Sequence, residues 1–183
     1  GYGNCGPDQR YLGNVGKGIM GTITRWWWVR HAPVVNHGGK IYGQGDIACD
    51  TSDTESFEGL AAKLPDGAIW LTSHLSRTID TANAILSAGG PAPFDPREFI
   101  TEHDLAEQSF GDWQQCSWDD LHTKGGPEYR AFWENPGYQA PPGGESFADL
   151  IARTSAVINR INDSYPNRDI VAVTHGGTIR AAL

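Results

Sequence analysis

Methionine occurs once in the 183 residues, at Met20, and cysteine three times, at Cys5, Cys49 and Cys116. Cysteines so few, odd in number and irregularly spaced make neither a zinc-like pair nor the disulfide framework of a secreted domain. They fit a reducing compartment. No run of about 18 apolar residues is present to span a membrane, and the start lacks the basic and apolar segments of a secretory signal. The expected location is therefore the cytoplasm. Positive charge is scarce as well: 14 Lys and Arg stand against 22 Asp and Glu, for a net charge of −8. The basic residues are scattered singly, which excludes the stripe that marks a nucleic-acid binder. A small molecule is the expected partner. If it is anionic, an acidic chain must gather its few arginines around it, so the place of each arginine is informative.

What the chain does have is length and apolar content, 39%, for one packed core and not comfortably for two. Residues 1–21 are glycine-rich without apolar periodicity and predict a flexible tail. Met20 is a candidate true start, which would make the residues before it non-native. Residues 22–183 are the predicted domain. Leu183 falls in the first turns of a predicted helix, so a truncated C-terminus is expected.

Three apolar runs, residues 24–29, 68–72 and 170–174, have strand length and no clean alternation. Such runs suit strands buried on both faces of a parallel sheet. Helical patterns lie between them. Residues 55–64 end at Pro65, residues 75–87 end at the Gly89-Gly90-Pro91 breaker, and a long helix begins after a capping box at Ser146-Phe-Ala-Asp149. Alternating strands and helices predict an α/β three-layer sandwich, a mostly parallel sheet covered on both faces. Residues 113–144, aromatic and rich in turns, predict a small helical insertion. Trp113, Trp118, Tyr129, Phe132, Trp133 and Tyr138 there would form either a local core or a wall for an aromatic substrate.

Two histidines follow predicted strands: His31 after Trp-Trp-Trp-Val-Arg and His175 after Ile-Val-Ala-Val-Thr. Ligands of open parallel sheets bind beyond the carboxyl ends of the strands, so the fold would bring the two rings together. Arg30 precedes His31, and Arg77 lies at the start of the second helix, again at that edge. Guanidinium forks there match the geometry of a phosphate. An arginine at a helix start opposes the helix dipole, a cost that a bound anion offsets; the alternative is an ordinary surface arginine. Gly176 and Gly177 after His175 would let backbone amides approach an anion. A neutral imidazole between guanidinium groups can attack phosphorus, and Glu107 is a candidate to protonate the leaving alkoxide. Each of these residues also has a plain structural reading, and the case rests on their combination. His37, His74, His103 and His122 show no metal-ligand spacing and are expected on loops and helix surfaces.

These residues resemble the histidine phosphatase superfamily, the phosphoglycerate mutase-like fold. VRHAPV is similar to its Arg-His-Gly signature, SHLSRTIDTA to its second arginine motif, LAEQSFGDW to its acid motif, PPGGESF to its Gly-Glu-Ser segment and VTHGGTIR to its second histidine motif. The five stand in family order. The resemblance implies that His31 carries the phosphoryl group, that Arg30, Arg77 and His175 hold its oxygens, that Glu107 exchanges the proton, and that neither metal nor cofactor takes part. Asn36 stands one position early for the family's phosphate-contacting asparagine, and Gln44 and Gly45 match part of its substrate loop. Ala32 replaces the usual glycine, a variant similar to the alpha-ribazole phosphatase-like branch, and His74 replaces a usual proline. The short stretch between Glu107 and Glu145 favours a phosphatase over a phosphoglycerate mutase-type phosphotransferase. A phosphohistidine-protein phosphatase is a further alternative. A silent phospho-ligand module would be expected to lack one of the reacting residues, and none is missing.

Overall fold

The carboxyl ends of four parallel strands share one edge, and the fold is best followed from how that edge is built. The computed structural model describes residues 23–94 and 99–183; the predicted tail lies outside them. In chain order come β1 (Arg25–Arg30), α1 (Thr54–Ala61), β2 (Ile69–Thr72), α2 (Ser76–Ser87), β3 (Ile100–Thr101), α3 (Trp118–Lys124), α4 (Gly126–Glu134), α5 (Phe147–Ser164), β4 (Asp169–Thr174) and α6 (Gly176–Ala182). Two single 3-10 turns, His103–Leu105 and Gly111–Trp113, follow β3. The sheet order is β1-β4-β2-β3, with every pairing parallel.

Strand alternation divides the core into two layers. Val29, Trp70, Val171 and Val173 face α1 and α2 and pack on Phe57, Ala61, Ala82 and Ile85. Ile69, Leu71, Ile170 and Ala172 face the other way and pack on Val157 and Ile161 of α5 and on Leu105. That is the three-layer sandwich expected. The sequence signals find the three long strands to within a residue but miss β3, which is only two residues long. β1 also departs from the expected two-sided burial: Trp27 is 37% exposed, while Trp26 and Trp28 stack at 4.8 Å on one face. Its single strand neighbour, β4, explains this lighter cover.

The helix ends show what the side chains can and cannot close. The box at Ser146 forms in both directions, Ser146 accepting from the Asp149 amide and Asp149 from the Ser146 amide. The first helix stops at Ala61, earlier than the predicted 64, because Lys63 and Leu64 tighten into i→i+3 bonds ahead of Pro65, which disfavours helical backbone just before it. The insertion forms α3 and α4 as expected, with Ile41, Trp113, Leu121 and Phe132 buried as its own small core and Tyr129 packed against it. The core reading thus holds for Trp113, Phe132 and Tyr129. Trp118, Trp133 and Tyr138 remain exposed.

Candidate functional site

The two strand-end histidines do meet. His31 follows β1, His175 follows β4, and their rings lie 5.1 Å apart at 58°. Both are buried, at 6% and 0% exposure. His31 Nδ1 lies 2.7 Å from the Ala32 carbonyl. A carbonyl can only accept, so Nδ1 carries the proton and Nε2 keeps a free lone pair. The Ala32 amide donates in turn to Thr81 Oγ1 at 2.8 Å, which fixes that carbonyl. Burial lowers the His31 pKa to about 4; the Ala32 bond opposes this, and the charges of Arg77 and Arg30 add to it. The ring is therefore neutral at pH 7, with Nε2 unprotonated.

His175 is oriented by Ser73, a residue the sequence reading passed over inside its arginine motif. Ser73 Oγ lies 2.8 Å from His175 Nε2 and accepts from the Leu75 amide. The neighbouring Thr78 hydroxyl has the Leu75 carbonyl as acceptor at 2.9 Å. The Ser73 proton is then free to go to Nε2, leaving His175 Nδ1 as a donor. Burial pushes the His175 pKa down to about 2, with Arg77 and His31 acting in the same direction. Two neutral rings thus present opposite faces of hydrogen-bond chemistry: one bare lone pair and one N–H.

Arg77 is no surface arginine. It is fully buried at the start of α2, donating from Nη1 to the Gly45 carbonyl at 2.8 Å and from Nη2 to the Gly43 carbonyl at 2.7 Å. Asp46 of the same loop caps α2 from outside, accepting from the Ser76 amide at 2.9 Å. Arg30 is exposed and lies against Gly176, where a Cβ would come 3.4 Å from Nε. Gly177 likewise leaves room for the Glu107 carboxylate, which a Cβ there would strike. Gly177 therefore makes space for a protein side chain, while a Cβ at Gly176 would meet Arg30 at ordinary contact distance.

Glu107 reaches this edge from the segment after the first 3-10 turn. Thr174 and Thr178 hold that segment by donating to the Leu105 and Ala106 carbonyls at 2.6 and 2.8 Å. The carboxylate itself accepts from the Gln108 and Gly177 amides at 2.9 and 3.2 Å. The Glu107 carbonyl accepts from Gln44 Nε2 at 2.9 Å and from Arg153 at 3.0 Å. Arg153 is locked by Glu145 through bonds of 2.9 and 2.6 Å, and Glu145 also accepts from the Ser109 amide. This Glu145–Arg153 clamp was not foreseen: its members lie far from Glu107 in sequence, and only the Gly-Glu-Ser segment hinted at it.

A pocket of about 270 Å³ opens at His31, lined by Arg30, His31, Ala32, Pro33, Val34 and Tyr42. Gln44 and Gly45 act beside it as ties to Glu107 and Arg77. Asn36 is exposed, in left-handed backbone at φ 58°, and stands outside the pocket lining. His37 sits edge-on to Tyr42, and His122 to Tyr129. His74, in the bend after β2, and His103, at the start of the first 3-10 turn, are exposed as expected, and they stack with centroids 4.4 Å apart. Their strands neighbour each other in the sheet, which sequence separation conceals. Among the described residues, no group of three or more His, Cys, Asp or Glu could hold a metal, and no helix is long and apolar enough to cross a membrane.

Buried polar atoms are rarely left without a partner. Among the described residues six buried side-chain atoms lack a partner: Trp70 Nε1, Thr72 Oγ1 and Thr154 Oγ1, and, together at this one strand edge, His31 Nε2, Arg77 Nε and His175 Nδ1. The class of protein is an α/β sandwich that brings two neutral histidines and two arginines to one strand edge. Residues 26–183 match the profile of the histidine phosphatase superfamily, branch 1, and the chain belongs to that family. It is 30% identical over 159 residues to phosphoglycerate mutase-like protein 4 of Arabidopsis thaliana, covering 81% of this chain and 67% of that protein. To the metal-independent phosphoserine phosphatase of the same plant it is 30% identical over 169 residues, 89% of this chain and 68% of the relative. A mycobacterial glucosyl-3-phosphoglycerate phosphatase, solved with VO3, superposes with a TM-score of 0.69 at 27% identity, over 84% of this chain and 77% of that one. The alpha-ribazole phosphatase of Shigella flexneri shares the fold, with a TM-score of 0.70 at 24% identity over 85% and 75% of the chains. Such relatives support an enzyme with phosphatase or mutase activity.

Proposed function

We propose that this protein is a metal-independent phosphomonoesterase that acts on a small phosphate monoester through a phosphohistidine intermediate. The observation that carries the reading is that three of the unpartnered buried nitrogens, His31 Nε2, Arg77 Nε and His175 Nδ1, belong to this strand edge. A phosphoryl group answers all three at once: it offers phosphorus to the lone pair and oxygens to the two donors. Arg30, exposed beside His31, supplies a further guanidinium.

In the first step His31 Nε2 bonds to phosphorus as the ester P–O bond breaks, and Glu107 delivers a proton to the departing alkoxide oxygen. In the second, water attacks the phosphohistidine, Glu107 takes a proton from it, and the P–N bond breaks to release inorganic phosphate. His31 must enter neutral, and its burial secures that. Glu107 must stay oriented through both steps, and the Gln108 and Gly177 amides, with the Arg153 bond to its carbonyl, hold it there.

The test is turnover by His31→Ala with excess chelator present, together with acid quenching of the wild type on labelled substrate. Hydrolysis should vanish in the variant and acid-labile phosphate should appear on wild-type His31. Near-normal turnover by the variant, or acid-stable phosphoserine, would refute the mechanism. Transfer of label to a second phosphate acceptor in place of inorganic phosphate release would favour the mutase reading.

A further inference from the structure

Each of the four strands is followed within two residues by a histidine: His31 after β1, His175 after β4, His74 after β2 and His103 after β3. Because the strands are parallel in the order β1-β4-β2-β3, the four rings stand along one edge as His31, His175, His74, His103. The inner pair is buried. The outer pair is exposed and stacked, with centroids 4.4 Å apart and 15° between planes. The phosphoryl chemistry above uses only the inner pair. Neighbouring strands lie about 4.8 Å apart, so the outer stack begins about one strand spacing beyond His175, within reach of a short leaving group. Both outer residues are joined to the machinery: His74 follows Ser73, the partner of His175, and His103 opens the turn that leads to Glu107.

We propose that the His74–His103 stack is a subsite for a second acidic group on the substrate, a carboxylate carried two or three carbons from the ester oxygen. The proposal rests on the phosphatase reading and adds to it a preference among esters. An exposed imidazole pair takes either a metal or an anion, and the surroundings decide. The pair lacks a third metal-ligating neighbour. Arg77 and Arg153 extend positive potential to His74, whereas Asp46, the acid facing it from the loop, is engaged by Ser76 through its amide and hydroxyl. On the β3 side, Glu102 is taken up by Arg160 in bonds of 2.9 and 2.7 Å, and Asp104, the other carboxylate of that turn, also faces the Arg160 charge.

Burial lowers the His74 pKa, His103, Arg77 and Arg153 lower it further, and Asp46 opposes them. The ring is therefore neutral at pH 7 and takes up a proton when the acidic group arrives. Binding at this subsite is coupled to that proton and weakens as pH rises. Even for an imidazole at its ordinary pKa of about 6.5, the coupling weakens binding about tenfold between pH 5.5 and 7.5, and a lowered pKa makes it steeper.

The experiment compares the phosphate ester of 3-hydroxypropanoate with propyl phosphate, in wild type, His74→Phe and His103→Phe, from pH 5.5 to 7.5. Taking the ratio of KM values cancels the ionisation of the shared phosphate. Wild type should favour the carboxylate ester at pH 5.5 and lose about tenfold of that preference by pH 7.5, with kcat similar for both esters. Phenylalanine keeps the stack but cannot take up the proton, so His74→Phe should show a ratio near one, flat with pH, and unchanged turnover of propyl phosphate; His103→Phe, which removes one imidazole and leaves His74, should shrink the preference at pH 5.5 while its fall with pH persists. A flat ratio in wild type, or a pH-dependent ratio that survives His74→Phe, overturns the subsite while leaving the phosphatase reading intact. No hydrolysis of either ester by wild type overturns that reading and the subsite with it.

Discussion

Replacing His31 by Asn should flatten the acid limb of the protein's stability, for a reason that can be worked from the buried ring. In the unfolded chain a histidine protonates near pH 6.5; in the fold, burial and the charges of Arg77 and Arg30 delay this to about 4. As pH falls through that window the unfolded chain binds the proton first, so unfolding is favoured. The folded state loses stability from pH 6.5 down to about 4 and nothing more from this group below that. Between pH 7 and 4.5 the loss is about 2 kcal/mol, which for a urea dependence of about 2 kcal/mol/M moves the unfolding midpoint by about 1 M. Asn cannot take the proton and removes this component. His175, whose pKa is pushed lower still, acts in the same direction and remains in both proteins. Urea unfolding followed by tryptophan fluorescence at pH 7, 5.5 and 4.5 measures the difference directly. Equal acid slopes in wild type and His31→Asn would mean that His31 is not held neutral, and would remove the basis for its role as a nucleophile.

Glu107→Gln should slow alkyl phosphate hydrolysis by about 10²–10⁴-fold but p-nitrophenyl phosphate far less, because nitrophenolate departs without a proton; equal losses on both would deny Glu107 the acid role. Gly177→Ala places a methyl against the Glu107 carboxylate and within 3.6 Å of Leu150. It should reproduce the same leaving-group dependence in milder form, at least tenfold on kcat for alkyl esters, with an unchanged circular dichroism spectrum. Wild-type kinetics in this variant would show that the carboxylate does not need its present position.

Much of this architecture can be read from residue order, and the failures have physical causes. β2 and β4 announce themselves because strands buried on both faces must be continuously apolar, and the Ser146 box because capping is local chemistry. β3 is too short to carry any periodic signal; the sheet recruits Ile100 and Thr101 through pairing with Leu71 and Thr72. That His31, His175, Arg30, Arg77 and Glu107 meet at one edge was legible through their positions after strands and at a helix start, and through motifs in series. The places of Ser73, Glu145 and Arg153 beside them were not, because nothing local distinguishes a serine or an exposed-looking ion pair that orients another side chain. Asn36 was nominated by register alone, and the left-handed backbone at that point turns the chain into an exposed loop. The His74–His103 stack exists only through the adjacency of β2 and β3, a relation between segments that neither segment states.

The loop at residues 43–46 explains why these groups form one unit. It gives two carbonyls to Arg77, the Gln44 amide to the Glu107 carbonyl and the Asp46 carboxylate to the start of α2. A buried guanidinium needs acceptors, and backbone carbonyls satisfy its donors without neutralising its charge. A carboxylate in their place would also have drawn the His31 and His175 rings toward protonation. Carbonyl ligation keeps Arg77 cationic for a phosphoryl group, and that charge adds to the burial that keeps both histidines neutral. In the proposed mechanism one side chain thus serves both anion affinity and the neutrality of the attacking ring. Arg30 differs in being exposed and, among the described residues, without such ties, so in the proposed mechanism it is the arginine suited to follow the phosphoryl group from ester to His31.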